Sequence, residues 1–295
     1  MTVARGPASR RPAARPTDGR RPYEPVLRRR DWTFPPPPIE RRELVSAAPD
    51  EPVAGRPPLL FVHGAAMGAW AWERWLPMAA AAGWSAHAVS LRGHAGSEAP
   101  TPLSRTPLRY YEHDVLQAIT QLPAPPVLIG HSMGGLIVQH VLERYRDAPA
   151  GVLVGPAPPR HGIEVFGAFL RYDPAALGAG LIGREPTPNM SAMFGSPPDD
   201  AESIRQRMGS ESTLAAMQVL FPRRTRDIRT PLLVIGGGED RMVPPHAVTR
   251  TARAHGTRAH LFRGMGHLLM LEPDAAAPLR FVLDWLDRTV LAPAA

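Results

Sequence analysis

Three residue types that together carry out nucleophilic catalysis stand in separate short motifs of this chain. Ser132 is the centre of a G-x-S-x-G pentapeptide at residues 130–134, Asp240 lies just after three consecutive glycines, and His267 follows Gly266. A serine hydroxyl is a poor nucleophile until a base takes its proton, and a histidine base needs a carboxylate that fixes its tautomer. If the fold brings them together, these residues can carry out acyl transfer.

The sequence around Ser132 predicts a sharp turn between a strand and a helix. Residues 127–130 form a short apolar run typical of a buried strand, and a second apolar run begins a helix directly after the glycines. At such a corner the serine holds a strained backbone and projects its hydroxyl outward. Glycines are needed on either side because a Cβ there would collide with neighbouring chain.

Strands and helices alternate along most of the sequence. This pattern predicts an α/β fold with a mostly parallel, helix-flanked central sheet, whose site lies at the carboxyl ends of the strands. Residues 63–65, Ser132, Asp240 and His267 all follow predicted strands, so they are expected at one edge of that sheet. Strands are predicted within 39–48 and at 59–62, 86–91, 127–130, 151–154, 232–235 and 260–262, and helices at 69–83, 108–122, from the turn to about 146, and at 245–254 and 274–291.

The alternation stops between residues 156 and 229. This stretch is punctuated by glycine and proline and carries scattered large apolar side chains. A structureless loop of that length is improbable in a compact domain, so we expect a helical cap inserted after the strand at 151–154. The predicted organisation is therefore a core made of residues 39–155 and 230–295, with a cap at 156–229.

Residues 1–38 are rich in arginine and proline and are predicted to be a disordered tail. Nine arginines and two acidic residues among residues 1–30 account for the whole net charge of +7, so the rest of the chain is neutral. The tail could be an electrostatic arm for nucleic acid or anionic lipid, or simply a solvated extension; we favour the extension and expect no nucleic-acid partner. No apolar stretch follows its arginine pairs, which argues against a twin-arginine export signal.

Composition excludes several other classes of protein. The chain has no cysteine, so disulfides and thiolate chemistry are impossible. No window approaches 18 continuous apolar residues, and we expect no membrane span and a cytoplasmic location. No histidine and carboxylate cluster has metal-ligand spacing, and no G-x-G-x-x-G follows a strand, so we expect no cofactor.

The motifs together resemble the α/β-hydrolase fold superfamily, in particular its serine esterases and lipases, from roughly Leu59 to Leu291. The matching pieces are His63-Gly64, residues 92–97, residues 130–135, Asp240 with the following 242–244, and Gly266-His267. The resemblance implies that Ser132 is the nucleophile, His267 the general base and then acid, and Asp240 the orienting carboxylate. It also implies an oxyanion hole formed by the backbone N–H groups of Ala65 and Met133.

Two assignments have competitors in the sequence. Glu239 adjoins Asp240 and could supply the carboxylate, although the position of Asp240 three residues before Val-Pro favours Asp240. His63 and His131 lie near the motifs and could in principle be the base, but we expect the first to form a structural hydrogen bond and the second to point into packing.

The resemblance and the cap together suggest the substrate. Flexible methionine and phenylalanine side chains suggest a pocket for an apolar, small-to-medium carboxylic ester, lactone or thioester.

A serine at the turn argues against epoxide hydrolases and haloalkane dehalogenases, which carry aspartate there. Perhydrolases, hydroxynitrile lyases and acyltransferases keep the serine triad and remain alternatives, and a non-catalytic ligand-binding protein on the same fold is a further rival. The candidate pocket residues are Trp70, Phe166, Phe169, Met193 and Phe194.

Overall fold

The computed structural model describes residues 36–182, 188–225 and 227–291. Nearly all of the predicted tail, residues 1–35, lies outside this part of the chain.

The described residues form a seven-stranded sheet with the order β1-β3-β2-β4-β5-β6-β7. The first strand pairs with β3 in the antiparallel direction, and all other neighbours are parallel. This arrangement confirms the predicted sheet, and the amino-terminal edge is a single short strand. The strands are β1 (Leu44–Ala47), β2 (Leu59–Val62), β3 (Ala86–Val89), β4 (Val127–His131), β5 (Gly151–Val154), β6 (Leu232–Gly237) and β7 (Ala259–Phe262).

Helices cover both faces of the sheet. The predicted helix at 69–83 is divided into a 3₁₀ turn, Ala69–Trp72, and α1, Trp75–Ala81, while a second 3₁₀ turn spans Leu103–Arg105. The remaining helices are α2 (Leu108–Ile119), α3 (Met133–Leu142), α4 (Ile163–Tyr172), α5 (Pro174–Leu181), α6 (Met190–Met193), α7 (Ala201–Arg207), α8 (Thr213–Leu220), α9 (Pro245–Ala254) and α10 (Ala276–Val290).

A hydrophobic core lies on each side of the sheet because successive strand residues face opposite sides. Phe61 and Ile129 belong to one core, and Leu60 and Leu128 to the other. All four side chains are fully buried, as expected for parallel strands covered on both faces.

The strand register brings the candidate residues to one edge. Val62 pairs with Gly130, His131 with Val154, and Val154 with Ile235. The ends of the central strands are therefore level, and the residues that follow them emerge side by side.

Residues 156–229, which we call the inserted segment, contain α4 to α8 and no strand among their described residues. The described part of the segment is thus helical, and its role as a cap stays a prediction. The segment connects β5 to β6, two neighbouring strands whose pairing it leaves intact.

Candidate active site

Ser132 occupies the corner between β4 and α3 in a strained backbone conformation, with φ 53° and ψ −117°. A positive φ at a non-glycine residue costs on the order of 1–3 kcal/mol and persists only where the surroundings enforce it. Here the Ser132 N–H donates to the Val154 carbonyl at 3.0 Å, and the Ser132 carbonyl accepts the Ala157 N–H at 3.0 Å. These bonds to β5 and the chain after it hold the corner, and Ser132 remains partly exposed.

The glycines on either side of Ser132 make this corner possible. A Cβ on Gly130 would lie 2.4 Å from the Gly134 carbonyl oxygen, and one on Gly134 would lie 2.4 Å from that of His63. Both distances are far below van der Waals contact, so β4, α3 and the chain after β2 can approach this closely only at glycine.

Asp240 and His267 form a buried pair at the ends of β6 and β7. The His267 Nδ1 and an Asp240 carboxylate oxygen are 2.8 Å apart, and both side chains are almost fully buried. The second Asp240 oxygen accepts the N–H groups of Met242 and Val243, each at 2.8 Å. Because a carboxylate only accepts hydrogen bonds, His267 must donate from Nδ1, which leaves Nε2 as a base.

Gly155, directly after β5, lies against this pair in a backbone conformation that favours glycine. A Cβ at this position would lie 3.4 Å from both the Asp240 carboxylate and His267 Nδ1, and the residue has φ 49°. The chain thus turns tightly beside the pair, between it and the corner at Ser132.

The competing residues take other places. Glu239 is exposed, whereas its neighbour Asp240 pairs with His267. His131 is buried, and its Nε2 donates to the His267 carbonyl at 3.0 Å, so it supports the loop of His267. Burial and the nearby His267 hold the pKa of His131 well below its ordinary value, which keeps the ring neutral.

His63 fixes the peptide between Gly64 and Ala65 in the loop after β2. Its Nε2 accepts the Leu91 N–H at 3.0 Å, so the proton is on Nδ1, which donates to the Gly64 carbonyl at 2.7 Å. Burial lowers the pKa of His63 to about 3, in agreement with a neutral ring. The peptide that carries the Ala65 N–H is therefore held in place, while Ala65 itself is exposed.

Met133, the other candidate oxyanion residue, is the first residue of α3 and is buried. Its N–H belongs to the helix amino terminus, where unsatisfied donors and the helix dipole favour negative charge. Gly64 lies against the same corner, since a Cβ on it would be 3.1 Å from the Ser132 Cβ. The loop that contains Ala65 thus approaches the serine closely.

Two of the five candidate pocket residues lie at the loop of His267. The Met193 carbonyl accepts the N–H groups of His267 and Leu268, and Phe194 is buried beside it. Phe169 packs against both cores. Trp70 is partly buried under the Arg207 guanidinium, whose carbon is 4.5 Å from the ring centroid. Phe166 lies on the solvent-exposed face of α4 and is 38% exposed.

Two buried carboxylates near the site escaped the sequence analysis. Glu272 accepts the N–H groups of Gly195 and Gly266, each at 2.7 Å, and so ties the inserted segment to the loop of His267. Glu211, from the inserted segment, accepts the Ala66 N–H at 3.1 Å. Ala66 lies far from Glu211 in the sequence, as Gly195 does from Glu272, and no residue pattern predicts such contacts.

The described residues contain neither a cluster suited to a metal ion nor a helix suited to a membrane. Over residues 36–182, 188–225 and 227–291, no group of three or more histidine, cysteine or acidic side chains is arranged to hold a metal ion. In the same part of the chain, no helix combines the length and the apolar character needed to cross a membrane.

Comparison with known proteins shows the family to which the chain belongs. Residues 59–279 match the model of the "Alpha/beta hydrolase family". The chain therefore belongs to the α/β hydrolase family.

Individual relatives are similar over shorter stretches. The chain is 36% identical over 104 residues to "Esterase PIR7B" of Oryza sativa subsp. japonica, covering 34% of this chain and 38% of the relative. It is 28% identical over 177 residues to a monoacylglycerol lipase of Mycolicibacterium smegmatis, covering 55% of this chain and 62% of the relative. The match thus spans less than two thirds of either relative.

The fold is shared over a much larger part of the chain. A thermophilic esterase from Thermogutta terrifontis superposes with a TM-score of 0.67 at 19% identity, covering 88% of this chain and 97% of the other.

Proposed function

We propose that this protein is a serine hydrolase that cleaves a carboxylic ester, lactone or thioester through an acyl-enzyme intermediate on Ser132. The observation that carries the proposal is the buried Asp240–His267 pair, 2.8 Å from oxygen to nitrogen, at the strand ends beside the strained corner of Ser132. Membership of the α/β hydrolase family and similarity to an esterase and a lipase support ester hydrolysis.

In the proposed reaction, the Ser132 hydroxyl oxygen attacks the carbonyl carbon while its proton passes to His267 Nε2. Asp240 stabilises the resulting imidazolium through Nδ1–H. The tetrahedral intermediate carries its negative charge on the former carbonyl oxygen, which the N–H groups of Ala65 and Met133 stabilise. His267 then donates the proton to the leaving alkoxide or thiolate, and the carbon–oxygen or carbon–sulfur bond breaks.

Deacylation repeats these steps with water. His267 takes a proton from the attacking water, the second tetrahedral intermediate forms at the same oxyanion site, and Ser132 leaves with the proton from His267. The products are a carboxylic acid and the free serine.

The inserted segment suggests an apolar, small-to-medium substrate. We propose that Trp70, Phe169, Met193 and Phe194 contribute to its pocket, since their side chains are apolar and at least partly buried. A panel of chromogenic esters of increasing acyl length should give the highest kcat/KM with apolar acyl chains. Cleavage confined to charged or peptide substrates would contradict this part of the proposal.

Labelling with a fluorophosphonate probe tests the nucleophile. Wild-type protein should be labelled, and Ser132→Ala should lose the label together with roughly 10⁴-fold or more of kcat/KM. Ser46→Ala is a matched control, because Ser46 is exposed and also hydrogen-bonds a histidine, with 2.7 Å between its Oγ and His87 Nδ1. Label that survives in Ser132→Ala would overturn the assignment. Turnover only with hydrogen peroxide or an alcohol as acyl acceptor, or only with a cyanohydrin as substrate, would replace hydrolysis by another reaction of the same serine.

A further inference from the structure

The loop after β2, residues 63–67, is held at three successive peptide groups. His63 holds the first through the Gly64 carbonyl, at 2.7 Å. The second is held through the Ala66 N–H, which donates to Glu211 at 3.1 Å. The third is held through the Ala66 carbonyl, which accepts the Gly209 N–H at 2.9 Å. Two of these three contacts come from the inserted segment.

Ala66 needs such contacts because its backbone has φ 60°. For an alanine this left-handed conformation costs roughly 1–2 kcal/mol, so the loop would relax without outside support. The Ala65 N–H belongs to the preceding peptide, which shares the Ala65 Cα with the peptide held at Ala66. Relaxation at Ala66 would therefore reach the Ala65 N–H through a shift of that Cα.

The Glu211 side chain is well placed to hold Ala66. It is only 8% exposed, and one of its oxygens accepts both the Tyr111 hydroxyl, at 2.7 Å, and the Ser212 N–H, at 2.6 Å. The oxygen that accepts the Ala66 N–H also accepts His94 Nε2 at 3.1 Å. The carboxylate is therefore fixed from four directions.

His94 supplies the positive charge that a buried carboxylate requires. Its Nδ1 lies 3.0 Å from the Arg92 carbonyl and its Nε2 lies 3.1 Å from the Glu211 carboxylate, and both partners can only accept. With both nitrogens donating, the ring is an imidazolium. Glu211 accordingly raises the pKa of His94 against the effect of burial, while His94 and the hydrogen bonds lower the pKa of Glu211.

We propose that Glu211 is a positioning residue, which orients the oxyanion N–H of Ala65 by holding the Ala66 N–H. The inference rests on the proposed serine-hydrolase function. It also assigns the inserted segment a part in catalysis, because Glu211 and Gly209 both belong to that segment and both hydrogen-bond Ala66 in the loop after β2. Both acylation and deacylation pass through the oxyanion site, so loss of Glu211 lowers kcat whichever step limits the rate.

A matched pair of substitutions separates this role from simple attachment of the inserted segment. Glu211→Met removes the acceptor of the Ala66 N–H. Gln218→Met also removes a bond between the inserted segment and the core, the 2.8 Å contact to the Leu108 N–H, but leaves the loop untouched. Both variants should lower the melting temperature.

Only Glu211→Met should lower kcat, by about 10- to 100-fold. This is less than the roughly 10²- to 10³-fold loss on deleting an oxyanion donor, because the Ala65 N–H is displaced and not removed. KM should stay within about threefold of the wild-type value, since binding of the ground state does not use the displaced donor. Glu211→Gln should recover part of kcat because its amide oxygen can accept the Ala66 N–H. Equal kcat values for Glu211→Met and Gln218→Met would overturn the proposal.

Amide hydrogen exchange gives a readout that does not depend on activity. The amide of Ala66 should exchange faster in Glu211→Met and at the wild-type rate in Gln218→Met; unchanged exchange in both would contradict the positioning role. If Glu211→Met does not fold, Glu211→Asp decides, because it keeps the charge that pairs with His94 but is one methylene too short to hold the Ala66 N–H in the same way. In that variant, kcat and Ala66 exchange both at wild-type values would overturn the proposal. Failure of wild-type labelling would instead remove the proposed function, while exchange would still report on the loop.

Discussion

At the scale of single residues, Asp240 has two separable tasks. One oxygen accepts the N–H groups of Met242 and Val243 and so shapes the turn after β6, while the other accepts His267 Nδ1–H. An asparagine can keep the first task with its amide oxygen. Its NH₂ group then faces Nδ1, so the ring must carry its proton on Nε2 and cannot act as a base.

Asp240→Asn should therefore lower kcat by about 10³- to 10⁴-fold with little change in melting temperature. The control is Glu239→Gln, which removes the neighbouring exposed carboxylate and should leave kcat unchanged. Steady-state kinetics and thermal unfolding of the two variants make the comparison. A large loss of activity in Glu239→Gln would show that the carboxylate is wrongly assigned.

Residues that follow strands are the ones whose positions could be predicted from the sequence. Ser132, Asp240 and His267 each follow an apolar run, and a parallel sheet gathers such positions at one edge. Glu211 and Glu272 have no comparable signal, because their roles depend on backbone N–H groups that only the tertiary structure brings near. Sequence therefore gives candidates for the reacting groups but not for the residues that hold them.

At the scale of elements, the junction of β4 with α3 is packed closely against the neighbouring backbone. A Cβ on Gly134 would meet the carbonyl oxygens of His63 and Val62 at 2.4 and 2.5 Å. Both are backbone atoms, so neither can move without shifting β2 and the loop that follows it.

Gly134→Ala should consequently destabilise the protein by more than about 2 kcal/mol, as overpacking of a rigid site does. Gly167→Ala is the matched control: Gly167 lies inside α4, and nothing lies within 4 Å of its added Cβ. Alanine there should stabilise by about 0.5–1 kcal/mol through higher helix propensity. Equilibrium unfolding in denaturant measures both; stabilisation by Gly134→Ala would contradict the packing argument.

Regular elements were predicted well where one periodicity dominates. The apolar runs at 59–62 and 151–154 are strands with the expected bounds, and 245–254 is a helix as expected. The predicted helix at 69–83 is interrupted between Trp72 and Trp75 instead. Both tryptophans are fully buried in one core, so tertiary packing overrides a continuous helix there.

At the scale of the whole molecule, the overall architecture could be predicted, but not how the inserted segment joins the core. Alternating strands and helices indicate a parallel sheet. The segment at 156–229 lacks a clear period, so its helices and its contacts with the loops after β2 and β7 had to come from the structure. Those contacts are backbone hydrogen bonds of residues scattered along the segment, such as Met193 and Gly209.

Histidines whose pKa values are lowered by full or partial burial give the molecule a predictable response to acid. Burial lowers the pKa of His63 to about 3 and those of His87 and His113 to about 4, and it also lowers the pKa of His131. Between these values and the ordinary value near 6.5, the unfolded chain binds more protons than the native one, so acidification favours unfolding. His94 opposes the trend, because its raised pKa makes the native state bind the extra proton.

The free energy of unfolding should therefore fall as the pH is lowered from about 7 to about 5. His87→Gln should flatten this decline by up to about 1 kcal/mol per pH unit, since each proton bound only by the unfolded chain adds about that slope. His87 suits the test because it lies on β3 between the hydroxyls of Ser46 and Ser85, away from the strand ends of the site. His161→Gln, which replaces an exposed histidine, is the control and should leave the slope as in wild type. Denaturant titrations at several pH values measure the slopes, and identical slopes for His87→Gln and wild type would show that His87 does not contribute to the acid sensitivity.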